Sequence, residues 1–429
     1  MQRLLQLDVR VTLSLLLLLL LLQAPTQLAQ HHSPNPSPIP SSSDAMANTE
    51  ANNVAEFSRR LANFSVSLYG KLIALKPNTN VVFSPFSIQT CAAMARLGAV
   101  GDTADELDRG LGLVSSDVGK IAESFHQVLA AYEKSSILRI ANKLYVMKDY
   151  ELADEFNSLL AKQFLSTAEN VDFTLSAQAA GTINKWVEQQ TNSLIKDLVP
   201  ASLLGERTRL VLINAIHFKG NWVHQFPEHA TRNERFHLNE VDGVDVPMMN
   251  LKERFRYANL PELDAAALEL PYKDSDLSML IVLPNSKTGL AQLEQKLRTT
   301  PLAQITDKLY SSQVVVKLPK FKAEFQVELT PVFQQLGMSR LFSDNANFSK
   351  MLKSPESLKV SAIVHKAFID VNELGTEAAA ATAMVICCEM LLIEPEPIHF
   401  DAVHPFLYFI NNQQNATLFA GKLQEFSKK

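Results

Sequence analysis

Three cysteines in 429 residues, Cys91, Cys387 and Cys388, are too few for a disulfide framework. A hydrophobic core must therefore hold the chain together. Catalytic signatures are missing too. There is no GxSxG elbow, no phosphate loop, no HExxH and no CxxC, and "GLGL" at Gly110 lacks the third glycine of a dinucleotide loop. The expectation is a protein that is not an enzyme and needs no cofactor or metal. A triad assembled only in space would escape such a search, so a hydrolase stands as a minority reading. Runs of like charge are absent, and the net charge of −5 comes from mixed signs. That excludes a general nucleic-acid binder. Lys120, His126 and Lys134 are too sparse to form a site for a sulfated polysaccharide.

What is present begins with an apolar run. "VTLSLLLLLLLL", Val11 to Leu22, follows a charged start and is short for a membrane span. Residues 1–29 read as a secretory signal peptide, with a retained signal anchor as the alternative. No second apolar span follows. Residues 30–50, opening "QHHSPNPSPIPSSSD", are rich in proline and serine and are expected to be a disordered leader. His31 and His32 fall in this solvated tail. A secreted chain can carry glycans at its three Asn-x-Ser/Thr sites, Asn63, Asn347 and Asn415.

From residue 51 onward the pattern is that of one large domain. Phe57, Leu61, Phe64, Leu68, Leu72 and Leu75 recur at helical steps. "LADEFNSLLAKQF" and "AAGTINKWVEQQT" predict two more helices. The second half turns to strands: Thr208 to Phe218, Leu277 to Pro284, Gln313 to Pro319, Val360 to Val371, "HPFLYFI" and "ATLFAGKL". No proline-rich linker divides the interior. Helices first and strands later predict an α+β fold. Cys91, in apolar surroundings, reads as a buried free thiol.

Five stretches then point the same way: "VVFSPFSIQTCAAMARLGAVGDTADEL", "NAIHFKGNW", "KLPKF", "VHKAFIDVNELGTEAAAAT" and "FDAVHPFLYFI". In sequence and order they resemble the serpin family across nearly all of residues 52–429. The resemblance implies three β-sheets, about nine helices and an exposed reactive-centre loop, here about residues 373–397. It implies a secreted, extracellular and monomeric suicide substrate. A serine protease, or a cysteine protease, would cleave the loop, which then enters the central sheet as a new strand. The alternative within the family is a non-inhibitory binding or carrier protein.

Carried over position by position, the resemblance assigns a hinge to Glu373, Gly375, Thr376, Glu377, Ala378, Ala379, Ala380, Ala381 and Thr382. Strand alternation supports this. With Thr376 inward, Ala378, Ala380, Thr382, Met384 and Ile386 also face in, all small or apolar, while Glu377 faces out. The resemblance pairs Glu373 with Lys320 near Trp222 at the top of the sheet. It places Ser84, Ser87, Asn214 and His365 in a polar cluster under its centre. For each of these, ordinary core satisfaction is the competing reading. The family spacing puts the cut between Glu389 and Met390. Counting back from "HPF" moves it toward Leu391. Cys387 and Cys388 lie on this loop. Val403 stands where the family signature has Asp or Asn.

Overall fold

The structure is a computed structural model that describes residues 42–113, 117–354, 356–374 and 396–426. The expected signal peptide, residues 375–395 with the hinge from Gly375 to Thr382, and the candidate cleavage residues Glu389, Met390 and Leu391 lie outside the described residues. Backbone contacts divide the chain into residues 1–50 and 51–429. The opening helix α1, however, spans Ser42–Leu75 and begins inside the segment expected to be a disordered leader. Nothing after Pro40 in "SSSDAMANTEANNVAEF" breaks a helix, so one nucleated on the Phe57–Leu72 stripe can propagate backward. Phe57, Leu61, Phe64, Leu68 and Leu72 are buried, but Leu75, at the fraying last turn, is exposed.

Among the described residues there are nine α-helices, a five-stranded sheet and a nine-stranded sheet whose two parts join at one long strand, Gly243–Leu260, so that three sheets are distinguished. After α1 come β1 (Val81–Phe83), α2 (Pro85–Gly98), α3 (Asp102–Leu111), α4 (Val118–Tyr132), β2 (Leu138–Met147), α5 (Asp154–Phe164), β3 (Ala168–Val171) and α6 (Ser176–Gln190). Strands then dominate: β4 (Leu210–Phe218), β5 (Arg232–His237), β6 (Gly243–Leu260), β7 (Ala265–Pro271) and β8 (Leu277–Pro284). The rest are α7 (Leu290–Leu297), α8 (Leu302–Thr306), β9 (Tyr310–Pro319), β10 (Phe321–Glu328), α9 (Thr330–Gln335), β11 (Val360–Val371), β12 (Ile398–Asp401), β13 (Phe406–Asn412) and β14 (Thr417–Leu423).

Two of the sheets share the long strand β6. One runs β1-β14-β13-β8-β7-β6; the other is β5-β6-β9-β12. The third, central sheet has the order β10-β11-β4-β2-β3. Strand β4 is buried on both faces along its whole length, which is why "LVLINAIHF" reads as a nearly continuous apolar run. Its residues Leu210, Leu212 and Ile216 pack toward the main core with α2, and Val211, Ile213 and Ala215 pack under α6.

Strand β14 shows how closely the layers meet. A Cβ on Gly421 would lie 2.6 Å from both the Val81 carbonyl and the Tyr408 hydroxyl oxygen. The backbone of β1 cannot retreat without breaking its ladder to β14. Gly421→Ala should therefore lower stability by about 1–3 kcal/mol through overpacking. Urea unfolding would show this as a lower midpoint at unchanged slope.

Candidate functional site

Strands β11 and β4 are direct neighbours and run parallel, from Val360 opposite Leu210 to Ile369 opposite Phe218. On their outer sides both pair antiparallel, β11 with β10 and β4 with β2. The seam between β11 and β4 is thus a parallel ladder flanked by antiparallel ones.

A row of polar side chains crosses the sheet at this seam. Asn142 of β2 is register partner to Asn214 of β4, which is partner to His365 of β11. The Asn214 amide nitrogen donates to Asn142 Oδ1 and to Ser87 Oγ, and Ser87 Oγ donates to Asn142 Oδ1 at 3.2 Å. Asn214 Oδ1 accepts from His365 Nδ1, so that nitrogen carries the proton. Ser84 joins indirectly: as N-cap of α2 its hydroxyl accepts from the Ser87 amide at 3.0 Å. All four expected residues come together here, fully buried. Asn142 completes the set and was missed from sequence. Its strand, "LRIANKLYVM", alternates too weakly to be predicted, so nothing aligned Asn142 with Asn214.

Burial lowers the His365 pKa to about 3. Its Nε2 has no hydrogen-bond partner, so protonation there would place an unpaired charge in the core. The neutral ring also explains why the seam can close over it.

The upper end of β11 is held by a second set. Lys320 Nζ lies 2.7 Å from Glu373 Oε2, and Thr231 Oγ1 donates to Glu373 Oε1 at 3.0 Å. Trp222 stacks on Tyr272, with ring centroids 4.4 Å apart, and its Nε1 donates to the Asn372 carbonyl at 2.9 Å. The amides of Trp222 and Phe226 donate to the carbonyls of Leu374 and Glu373. The segment entering residues 375–395 is therefore stapled to the turn that follows β4. Lys320, Glu373 and Trp222 meet as expected, while Thr231, Phe226 and Tyr272 carried no sequence signal. Burial pushes the Glu373 carboxyl up, but its bonds to Lys320, its own backbone and Thr231 outweigh this and hold it below the usual range.

The three glycan candidates are all exposed. Asn63 lies on the solvent face of α1. Asn347 forms a turn in which its side-chain oxygen accepts from the Ser349 amide, and Asn415 caps the β13–β14 turn in a left-handed conformation. Cys91 is a buried free thiol as expected, 3.4 Å from the Ile213 carbonyl, and burial pushes its pKa up. Among the described residues, no group of three His, Cys, Asp or Glu is placed to hold a metal, and no helix is long and apolar enough to cross a membrane.

A central sheet with a parallel seam, a polar row across it and a stapled exit from β11 is the architecture expected of the family named above. The family described as "Serpin (serine protease inhibitor)" matches residues 59–425. The chain belongs to the serpin family. It is 41% identical over 366 residues to alaserpin of Manduca sexta, covering 84% of this chain and 92% of that one. It is 37% identical to the leukocyte elastase inhibitor of Sus scrofa, covering 84% and 97%. A solved structure titled "Cleaved Serpin 42Da" is similar at a TM-score of 0.80 and 62% identity, covering 88% of this chain and all of that one.

Two outcomes follow from the site. His365 folds with its pKa depressed, so its contribution to stability is complete above pH 6.5 and is lost as pH falls from 6.5 toward about 3. Thermal midpoints measured across that range should fall with acid, and His365→Asn should flatten the slope; an unchanged slope would remove His365 from this role. Glu373→Gln weakens the Lys320 pair, which is partly solvent-screened, by about 1 kcal/mol or less. Hydrogen exchange at the Trp222 and Phe226 amides should rise severalfold, since both report on the staple.

Proposed function

We propose that this serpin is a secreted suicide inhibitor of an extracellular serine protease. One observation carries the reading: β11 and β4 meet as parallel neighbours. A segment that turns back after β11 and enters between them would run antiparallel to both. One parallel interface becomes two antiparallel ones, which are slightly more stable per residue. About 14 residues extend roughly 45 Å as a strand, enough to line the twelve residues of β11. The small inward residues Thr376, Ala378, Ala380 and Thr382 offer little resistance to entry.

The mechanism follows. A protease attacks the loop at Glu389–Met390, or near Leu391, and forms an acyl-enzyme. The freed segment enters the sheet, breaking the Asn214–His365 bond and the parallel ladder. The protease travels with it and is distorted before water can release it. The serpin turns over once and is a substrate, not a catalyst. The relative named leukocyte elastase inhibitor supports inhibition, and the apolar leader supports secretion. Glycans at Asn63, Asn347 and Asn415 belong to the same reading.

A panel of serine and cysteine proteases tests it. The expected result is a complex that survives denaturing electrophoresis, with the released carboxy-terminal fragment giving the cut site by mass. Thr382→Arg would bury an unpaired charge and should turn the protein into a cleaved substrate. Clean proteolysis of the unaltered protein by every member of the panel would instead favour a binding protein.

A further inference from the structure

The face of the central sheet under α6 is largely apolar, but Lys143, His217 and Lys366 are buried there too, and of the three Lys143 is the one that touches an α6 side chain. Between Ala141 and Tyr145 on β2 sits Lys143, only 7% exposed. Its ammonium is 2.5 Å from Glu169 Oε2 on the edge strand β3. It also lies 4.9 Å from the ring centre of Trp186 on α6 and 5.2 Å from that of Tyr145. The two rings meet edge to face at 6.3 Å. One carboxylate and two aromatic faces thus enclose the charge.

Helix α6 packs over β2 on the face of the sheet that the seam shares. Its residues Ala179, Ala180, Ile183 and Val187 share one cluster with side chains of β2, of β4 and of β11. A strand entering between β4 and β11 has to pass beneath it, so α6 must lift. Lifting an apolar cover exposes apolar surface on both sides, and nothing compensates. A lysine behaves differently. While α6 is down, Glu169 and the two rings offset its desolvation. When α6 lifts, water solvates the ammonium.

We propose that Lys143 is a positioning residue for loop insertion: its charge makes α6 a releasable cover, held in the closed sheet and freed at low cost when the sheet opens. The proposal rests on the inhibitory reading given above. It assigns a role in the mechanism to a residue that touches neither the loop nor a protease. It also separates this position from ordinary core packing, because a better-packed residue should make a worse inhibitor. Lys143→Met keeps the length and removes the charge. It leaves Glu169 half exposed at the sheet edge, where water can take it up.

The test compares the unaltered protein with Lys143→Met and Lys143→Arg. The ratio of inhibitor consumed per protease trapped should rise about threefold or more in Lys143→Met, because the apolar side chain gains no hydration when α6 lifts. The initial rate of protease binding should stay unchanged. Thermal stability should hold or increase. Lys143→Arg, which keeps the charge, should restore the ratio. Hydrogen exchange in α6, measured without protease, should slow in Lys143→Met. Equal exchange and an equal trapping ratio in Lys143→Met would overturn the proposal. If Lys143→Met fails to fold, Trp186→Phe, a weaker partner for the cation, should speed hydrogen exchange in α6 relative to the unaltered protein and leave the trapping ratio no higher, and unchanged exchange would overturn the proposal. Absence of any covalent complex with the unaltered protein would instead sink the inhibitory reading. The α6 exchange measurement would then judge Lys143 alone.

Discussion

The bond from His365 to Asn214 is the constraint on which the rest is arranged. Among the described residues it spans the one junction in the central sheet where two long strands meet in parallel, and it is buried. Polar groups in such a place have to be satisfied in each arrangement the protein adopts. Here the satisfaction is shared. Asn214 links strand to strand through His365 and Asn142, and strand to helix through Ser87 at the start of α2. Parting the seam releases His365 while leaving Asn214 bonded to Asn142 and Ser87. The cost of opening is thereby confined to one side of the sheet.

The upper staple and the α6 cover act on the same junction from other directions. Glu373, Asn372 and Leu374 tie the end of β11 to the turn after β4, so separation cannot start at the top without breaking them. In the same reading helix α6 would resist separation along the middle. Each is a modest restraint, and in the proposed insertion all of them would have to yield together.

Much of this was legible in the sequence because the patterns are strong. The stripe from Phe57 to Leu72 and the run from Leu210 to Phe218 announce a buried helix face and a doubly buried strand. The motifs around Ser84, Asn214 and His365 assign those residues together, and they do meet. What stayed hidden has physical causes. "GVDVPMMNLKERFRYANL" carries five charged side chains in its eighteen residues, Asp245, Lys252, Glu253, Arg254 and Arg256, yet forms one continuous strand. Pairing with three different strands at once decides its state, and no local pattern encodes that. "AAALELP" reads as helical by propensity and is a strand for the same reason. Ser42 to Glu50 was expected to be disordered from its neighbourhood, but lacks any residue that stops a helix. Thr231, Tyr272 and Asn142 reach their places only through tertiary contacts.

The chain contains just two tryptophans. Trp222 stacks on Tyr272 at the root of the segment that would enter the sheet, and Trp186 covers Lys143 on the helix that would lift. In the proposed insertion the indoles therefore stand at the two parts that would move. Ultraviolet emission from the unlabelled protein would then carry the time course of both, and replacing either indole with phenylalanine would separate the hinge signal from the helix signal.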